Sequence, residues 1–502
     1  MSTTSDASPD GTPPPATATA TDPAPAASAT AAATARDGSG EDRRTRSGWW
    51  PLLTRLHFYA GVLVAPFLLI AALTGLAYTA VPQLDRLVYS EQLRVEKVGD
   101  TAKPLTEQIA AARKAHPEGS IATVIPPEAP DHTTKVVLSV PELAEEDKQR
   151  TVYVDPYTGE VRGALTTWFG STPLATWLDD LHRHLHLGET GRLYSELAAS
   201  WLWVLVLGGL LLWFGRRRTY AGGSKRNTVL PERGARGVRR SRSLHAVTGV
   251  WISLGLLVLS ATGLTWSAYA GERFTQLRTS LSAYAPELDT SLTGGADGAS
   301  GHDHTDGHEA AATGGLPAGL TVDQVLQKAR AAGLDGPVEI STPADDKSTW
   351  TVAQTDGLWP VRMDRAALDP HTGEVTARVD WADHPLLAKL STLGVRAHMG
   401  TLFGLANQIV LAVIALGLTV GIVLGYRMWW QRGRGSSFGR PLPRGAWQQV
   451  PPYLLVPALA VIAVLGYFVP LLGIPLAAFL AVDIVLGEIA HRRGRRTYAE
   501  IR

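Results

Sequence analysis

Four histidines recur at repeated intervals in a 502-residue chain that contains no cysteine. His57 is followed by Gly61 and by Thr74-Gly75-Leu76, and His245 is followed by Gly249 and by Thr262-Gly263-Leu264 at the same offsets. His182 precedes Gly188, Trp213 and Arg216 by the intervals at which His398 precedes Gly404, Trp429 and Arg432. A neutral imidazole is a good ligand for haem iron, and two imidazoles from facing helices can fill both axial positions of a planar macrocycle between them. His57 with His245, and His182 with His398, would then hold two haems. The absence of cysteine excludes disulfides, iron–sulfur clusters, thiolate zinc sites and covalent haem attachment, so any cofactor must rest on His, carboxylate or backbone.

The stretch "DLHRHLHLGETGR", residues 180–192, leaves one assignment open. On a continuous helix His186 lies one turn beyond His182 and shares its face, so it could take the place of His182; His184 points elsewhere. Haem propionates need cationic partners. Arg55 and Arg242 lie near the first pair of histidines in sequence, and Arg183, Arg192 and Arg396 near the second. The tract "GHDHTDGHE" at 301–309 offers His302, His304 and His308 with Asp303, Asp306 and Glu309, a composition that can bind a metal ion loosely and also occurs in polar linkers without any site. Asp483 lies in an apolar stretch with no visible partner and reads as a polar contact between helices. Gly208, Gly209, Gly417 and Gly421 let helices or a flat cofactor approach closely.

The elements that must position these residues are membrane helices. Hydrophobic residues make up 45% of the chain and there are 15 Trp, which points to spans in a lipid bilayer. The net charge of +1, with Lys and Arg gathered in particular loops, gives no reason to expect a nucleic-acid partner. Residues 1–47, almost wholly Ala, Thr, Pro, Ser, Asp and Gly, cannot bury enough apolar surface to order and hold no signal-peptide core. The chain then divides into span 1 at 48–82, an extracytoplasmic module at 83–190, span 2 at 191–216, a basic loop at 217–243, span 3 at 244–271, a second module at 272–400, span 4 at 401–430, a loop at 431–450, a hairpin of two short spans at 451–490 and a tail at 491–502. Arg-rich loops belong in the cytoplasm, which puts both termini there and the two long segments outside a cytoplasmic membrane. His57 and His245 then sit at the cytoplasmic starts of spans 1 and 3, and His182 and His398 at the outer starts of spans 2 and 4. Helix rise separates two bound irons by on the order of 20 Å, a spacing suited to electron transfer across a bilayer.

Each outer segment repeats one plan: an amphipathic helix ("LTEQIAAARKAH", "LTVDQVLQKARAAG"), β-prone runs and a near-identical turn, "DPYTGEV" at 155–161 and "DPHTGEV" at 369–375. The expected fold is thus an α-helical polytopic membrane protein, a four-helix core from a duplicated unit plus a C-terminal helical hairpin, with two small extracytoplasmic α+β modules.

The repeated "LH…G…TGL" spans, "LHRHLHLGETGR", "AHMGTLFG" and the two "DPxTGEV" modules resemble the PepSY-associated transmembrane family over about residues 50–432. That family includes bacterial inner-membrane proteins linked to iron and siderophore uptake, some of them haem-containing reductases of ferric siderophores. The resemblance implies two b-type haems and reduction of an extracytoplasmic ferric complex by cytoplasmic electrons; His184, His186 and the 301–309 tract depart from the common pattern. No flavin or nicotinamide site is evident, so the electron donor would be a partner or a diffusible carrier. The competing class is a non-enzymatic membrane protein whose outer modules bind a peptidase, peptide or metal and regulate or sense. Metal-ion transport is a third reading, drawing on the His-rich linker but lacking broken helices and midplane charges.

Overall fold

The computed structural model describes residues 38–219, 229–292, 319–432 and 452–500. The helices and strands run in the order α1 (Gly38–Tyr78), α2 (Val81–Val88), α3 (Ser90–Leu93), α4 (Leu105–Ala115), β1 (Ser120–Ile125), β2 (Thr134–Ser139), α5 (Pro141–Ala144), β3 (Lys148–Val154), β4 (Val161–Trp168), α6 (Pro173–His184) and α7 (Gly188–Thr219). There follow α8 (Gly237–Leu264), α9 (Tyr269–Ser280), α10 (Val322–Ala331), β5 (Val338–Ser341), β6 (Trp350–Gln354), β7 (Arg365–Leu368), β8 (Val375–Val379), α11 (Leu386–Met399), α12 (Leu405–Arg432), α13 (Pro452–Phe468) and α14 (Pro470–Glu500). Residues 38–47, expected to belong to an unstructured tail, continue the first span helix toward its N-terminus, whereas the rest of that tail, residues 1–37, lies outside the described residues.

Five helical stretches among the described residues are long and apolar enough to cross a membrane: Leu52–Tyr78, Gly188–Gly215, Gly237–Leu264, Leu405–Gln431 and Pro470–Ile489. The protein is a multi-pass membrane protein. At the C-terminus α13 and α14 follow one another, α14 carrying the fifth of these stretches and α13 a shorter apolar helix, Leu459–Phe468. Four helices close a ring in which α1 and α8 each pack against both α7 and α12, so α1 faces α8 across the bundle. Ala60, Val64 and Leu68 of α1, Ala198 and Leu202 of α7, Ile252 and Leu256 of α8, and Ile414 and Ile422 of α12 share one buried core. The Tyr426 hydroxyl donates to the Val62 carbonyl at 3.0 Å, linking α12 to α1.

The hairpin docks through a local defect. Pro475 lies inside α14 and has no N–H to give the carbonyl four residues earlier, that of Leu471. The indole Nε1 of Trp201 on α7 donates to that carbonyl at 3.0 Å, satisfying an acceptor that lipid could not.

The two modules do not stand apart. Their strands form one antiparallel eight-stranded sheet in the order β4-β3-β2-β1-β5-β6-β7-β8, joined where Thr123 and Val124 of β1 pair with Ser341 and Ile340 of β5. Ile109 and Ala112 of α4 and Val325 and Ala329 of α10 cover one face over a shared core that includes Val124, Val152, Ile340, Trp350 and Val352. Asp323 at the start of α10 accepts from the backbone N–H groups of Leu105 (2.6 Å) and Thr106 (3.0 Å), capping α4 of the other half. The duplicated turns match in detail: Asp155 Oδ1 accepts from the N–H groups of Tyr157 and Thr158, and Asp369 Oδ1 from those of His371 and Thr372. Gly159 and Gly373 close the two turns at φ of 75° and 71°, a conformation that favours glycine.

Candidate functional site

The structure brings the four repeated histidines together in twos. His57 and His245 meet across the bundle with ring centroids 6.3 Å apart and planes at 74°. His182 and His398 meet on the side of the bundle that carries the sheet, also at 6.3 Å, with planes at 53°. We call these the distal and the sheet-side pair.

Each ring lies against a glycine of a neighbouring helix. A Cβ added at Gly75 would sit 3.0 Å from Cε1 of His182, at Gly263 3.3 Å from Cε1 of His398, at Gly209 3.2 Å from Cε1 of His57, and at Gly425 3.9 Å from Cε1 of His245. The missing side chain opens the groove one turn above each glycine, where a helix carbonyl has a lone pair to spare. His245 Nδ1 donates to the Gly421 carbonyl at 2.8 Å. His57 turns toward the equivalent Leu205 carbonyl, yet its Nδ1 closes no hydrogen bond there. His182 and His398 turn toward the Ala71 and Leu259 carbonyls in the same way.

The sheet-side pair has a second support. Thr74 Oγ1 lies 3.0 Å from His182 Nδ1, and Thr262 Oγ1 lies 2.8 Å from His398 Nδ1. Both hydroxyls donate to carbonyls of their own helices, Thr74 to Ile70 at 2.9 Å and Thr262 to Val258 at 2.8 Å. Each hydroxyl has one proton, so the ring Nδ1–H is the donor and the tautomer is fixed with Nε2 free of its proton. Burial pushes the His182 imidazole below its ordinary value, and burial followed by the neighbouring His182 takes His398 down to about 4. Both rings are therefore neutral at ordinary pH, the form that ligates a metal. Ligating histidines commonly give their second nitrogen to a carbonyl in this way.

The spacing permits a fit test for haem. Metal–imidazole bonds of about 2.0 Å on both sides of one ion place the ring centroids about 6 Å apart. Both pairs meet that requirement, and His57 Nδ1 is a buried polar atom without a partner. Among the described residues, no three or more His, Asp or Glu side chains gather as a metal cage. The 301–309 tract with His302, His304 and His308 lies outside the described residues.

Several sequence expectations need correction. His182 and His398 do not begin the span helices: they end α6 and α11, short helices that precede α7 and α12. Leu185 and His186 adopt φ of 54° and 55°, so the helix breaks after His184 and His186 leaves the face of His182. His186 instead stacks on Trp177 at 5.2 Å, while His184 Nε2 bonds Asp180 at 2.8 Å. His186 therefore cannot take the place of His182 from the next turn of one helix.

The arginines are also engaged differently. Arg55, expected to face a propionate, is 1% exposed and forms an ion pair through Nη2 with Asp483 of α14, the residue for which the sequence offered no partner. Arg183 pairs with Asp179 (3.4 Å) and Asp180 (3.3 Å), and Arg192 with Glu189 (3.0 Å). Arg396 donates to the Thr355 carbonyl at 3.4 Å, and Arg242 is exposed.

Two features escaped the sequence reading. Gly425 could have been found, since it repeats Gly209 at the interval that relates His182 to His398. A cavity of about 310 Å³ opens beside the first half of the sheet, lined by Tyr78, Asp85, Lys135, Tyr153, Met399 and Thr401 among others. Met399, one of its lining residues, follows His398 directly in the chain.

With the geometry in place, the comparison with known proteins is brief. The family described as the PepSY-associated TM region matches residues 54–432, a stretch that holds all four histidines, the four-helix ring and the whole sheet. The chain belongs to that family, and the hairpin carrying Asp483 lies beyond the matched region. No curated protein matches the chain.

Proposed function

We propose that this PepSY-associated membrane protein binds two b-type haems, one at each histidine pair, and carries electrons across a cytoplasmic membrane to reduce a ferric complex held outside. The observation that carries the reading is the 6.3 Å spacing found twice, each time with imidazoles turned toward a helix carbonyl beside a glycine. When bound, haem would supply reversible one-electron transfer at each pair.

The chain's own residues supply the rest. His57 and His245 would hold the haem at the distal site, and His182 and His398 would hold that at the sheet-side site. Thr74 and Thr262 hold the sheet-side rings in the tautomer that leaves Nε2 free. The buried apolar core between the pairs excludes water and lowers the cost of changing oxidation state without moving ligands. The cavity lined in part by Met399 and Thr401 has room for part of an acceptor. The sheet side would then face outward, both termini would be cytoplasmic, and the donor would be a reduced membrane or cytoplasmic carrier. Ferric iron accepts one electron per turnover and leaves as ferrous iron.

An absorption spectrum of the purified protein tests the reading. We expect sharp reduced bands of bis-imidazole haem and two haems per chain, with His57→Ala and His398→Ala each removing about half of the pigment. Unchanged pigment in both variants ends the ligand assignment, and a colourless wild-type protein reconstituted with haem leaves only a duplicated scaffold with a binding or regulatory role.

A further inference from the structure

The loop joining β6 to β7 is fastened to the segment that leads into the fourth span. The Phe403 N–H donates to the Gly357 carbonyl at 3.0 Å, and Arg396 reaches the Thr355 carbonyl of the same loop. A Cβ at Gly357 would lie 2.9 Å from the Thr401 carbonyl oxygen, so the approach depends on glycine. Residue 403 stands two positions before the span Leu405–Gln431. The tip of the loop is thereby held at the level where that helix enters the bilayer.

At that level the tip is apolar and bare. Leu358 is 60% exposed and Trp359 is 82% exposed, and they continue into Phe403 at 43% and Leu405 at 62%. The Trp359 and Phe403 rings are 6.5 Å apart, forming one patch with the start of the span. Tryptophan favours the boundary between lipid headgroups and acyl chains, where its ring is buried and its N–H remains hydrated.

The duplication provides an internal comparison. The corresponding loop of the first repeat, between β2 and β3, lies at the opposite end of the sheet because β1 and β5 pair antiparallel, and it presents exposed Glu142, Glu145, Glu146 and Asp147 instead. We propose that the β6–β7 tip inserts into the headgroup region of the sheet-side leaflet through Leu358 and Trp359, whereas the acidic β2–β3 loop stays in water. The sheet is anchored to the lipid surface through one half only. That anchor fixes the height of α11, and with it His398, because the loop is bonded to both Arg396 and Phe403.

The absence of cysteine makes a direct test simple. Trp359→Cys, Leu358→Cys and Glu145→Cys are each labelled with a nitroxide, and the full-length protein is placed in nanodiscs of phosphatidylethanolamine and phosphatidylglycerol. Collisions with oxygen, which concentrates in lipid, are compared with collisions with a water-soluble nickel chelate. We expect labels at 358 and 359 to favour oxygen several-fold over the label at 145 and to resemble a label placed by Leu405→Cys. The proposal is overturned if both tip labels meet the nickel chelate as often as the label at 145. Haem plays no part in the measurement, so its result is independent of the redox reading.

Discussion

The distal and sheet-side histidine pairs reach the same 6.3 Å spacing by different constructions. His57 and His245 stand on long span helices, and their positions are fixed by the packing of α1 and α8 in the four-helix ring. His182 and His398 end short helices that join the spans through left-handed backbone at Leu185, His186 and Gly188 in one half and at Gly400, Phe403 and Gly404 in the other. A joint can shift, and only the pair carried on joints has threonine hydroxyls behind its rings. A ligand on a continuous helix inherits its precision from the bundle. A ligand beyond a break needs its own hydrogen bond.

The largest effect should strike the distal side alone. Asp483→Asn leaves Arg55, on the same helix as His57, buried without a counter-charge, at a cost of about 3–5 kcal/mol. Thermal unfolding should show a lower midpoint and the hairpin should become protease-sensitive, while replacing both partners by Met and Leu restores most of the loss. An equal loss in the double variant would mean that the pair contributes attraction rather than relief of a stranded charge.

Glycine substitutions sharpen the comparison within each pair. Gly75→Ala places a methyl group 3.0 Å from the His182 ring and should cost about 1–3 kcal/mol through overpacking. Gly425→Ala, with 3.9 Å to His245, should be nearly neutral. Haem content after equal reconstitution measures both, and similar losses at the two sites would break the packing argument.

Thr74→Val and Thr262→Val remove the hydroxyl acceptors and should each cost about 1 kcal/mol, with haem affinity at the sheet-side pair falling by roughly tenfold. No such pair of hydroxyls supports the distal rings, so distal pigment should be unchanged. A loss shared by both sites would place the effect in the bundle as a whole.

Acid should have the gentlest effect. The folded His182 and His398 titrate below the ordinary histidine value, so unfolding takes up protons between that value and about 4. Stability contributed by the neutral rings is complete above about pH 6.5 and is lost as pH falls toward 4. Thermal unfolding checks this sign, and a midpoint that remains constant from pH 7 to 4 would overturn it.

Much of the architecture was legible along the chain. Hydropathy marks four spans of the ring, and the two "DPxTGEV" turns predict hairpins that the structure contains, because turn chemistry is local. The helix break after His184 was not legible: leucine and histidine occupy the left-handed positions, where glycine or asparagine would have signalled a stop. The Arg55–Asp483 pair joins residues 428 apart on elements of different sequence character, and neither repeat nor motif links them. The joining of β1 to β5 was hidden for a related reason, since any exposed edge strand of suitable length presents the same backbone groups.

By itself the sequence determined that the chain is duplicated, that it spans a membrane, and that its histidines come in repeat-matched sets of two. These features are written as composition and interval, and they survive translation along the chain. Only the tertiary structure decided how closely the paired rings approach and at what angle, that His186 is turned away, and that two modules share one sheet. Those outcomes depend on how distant helices pack and where the backbone bends, energies that arise only when segments far apart in the chain are brought into contact.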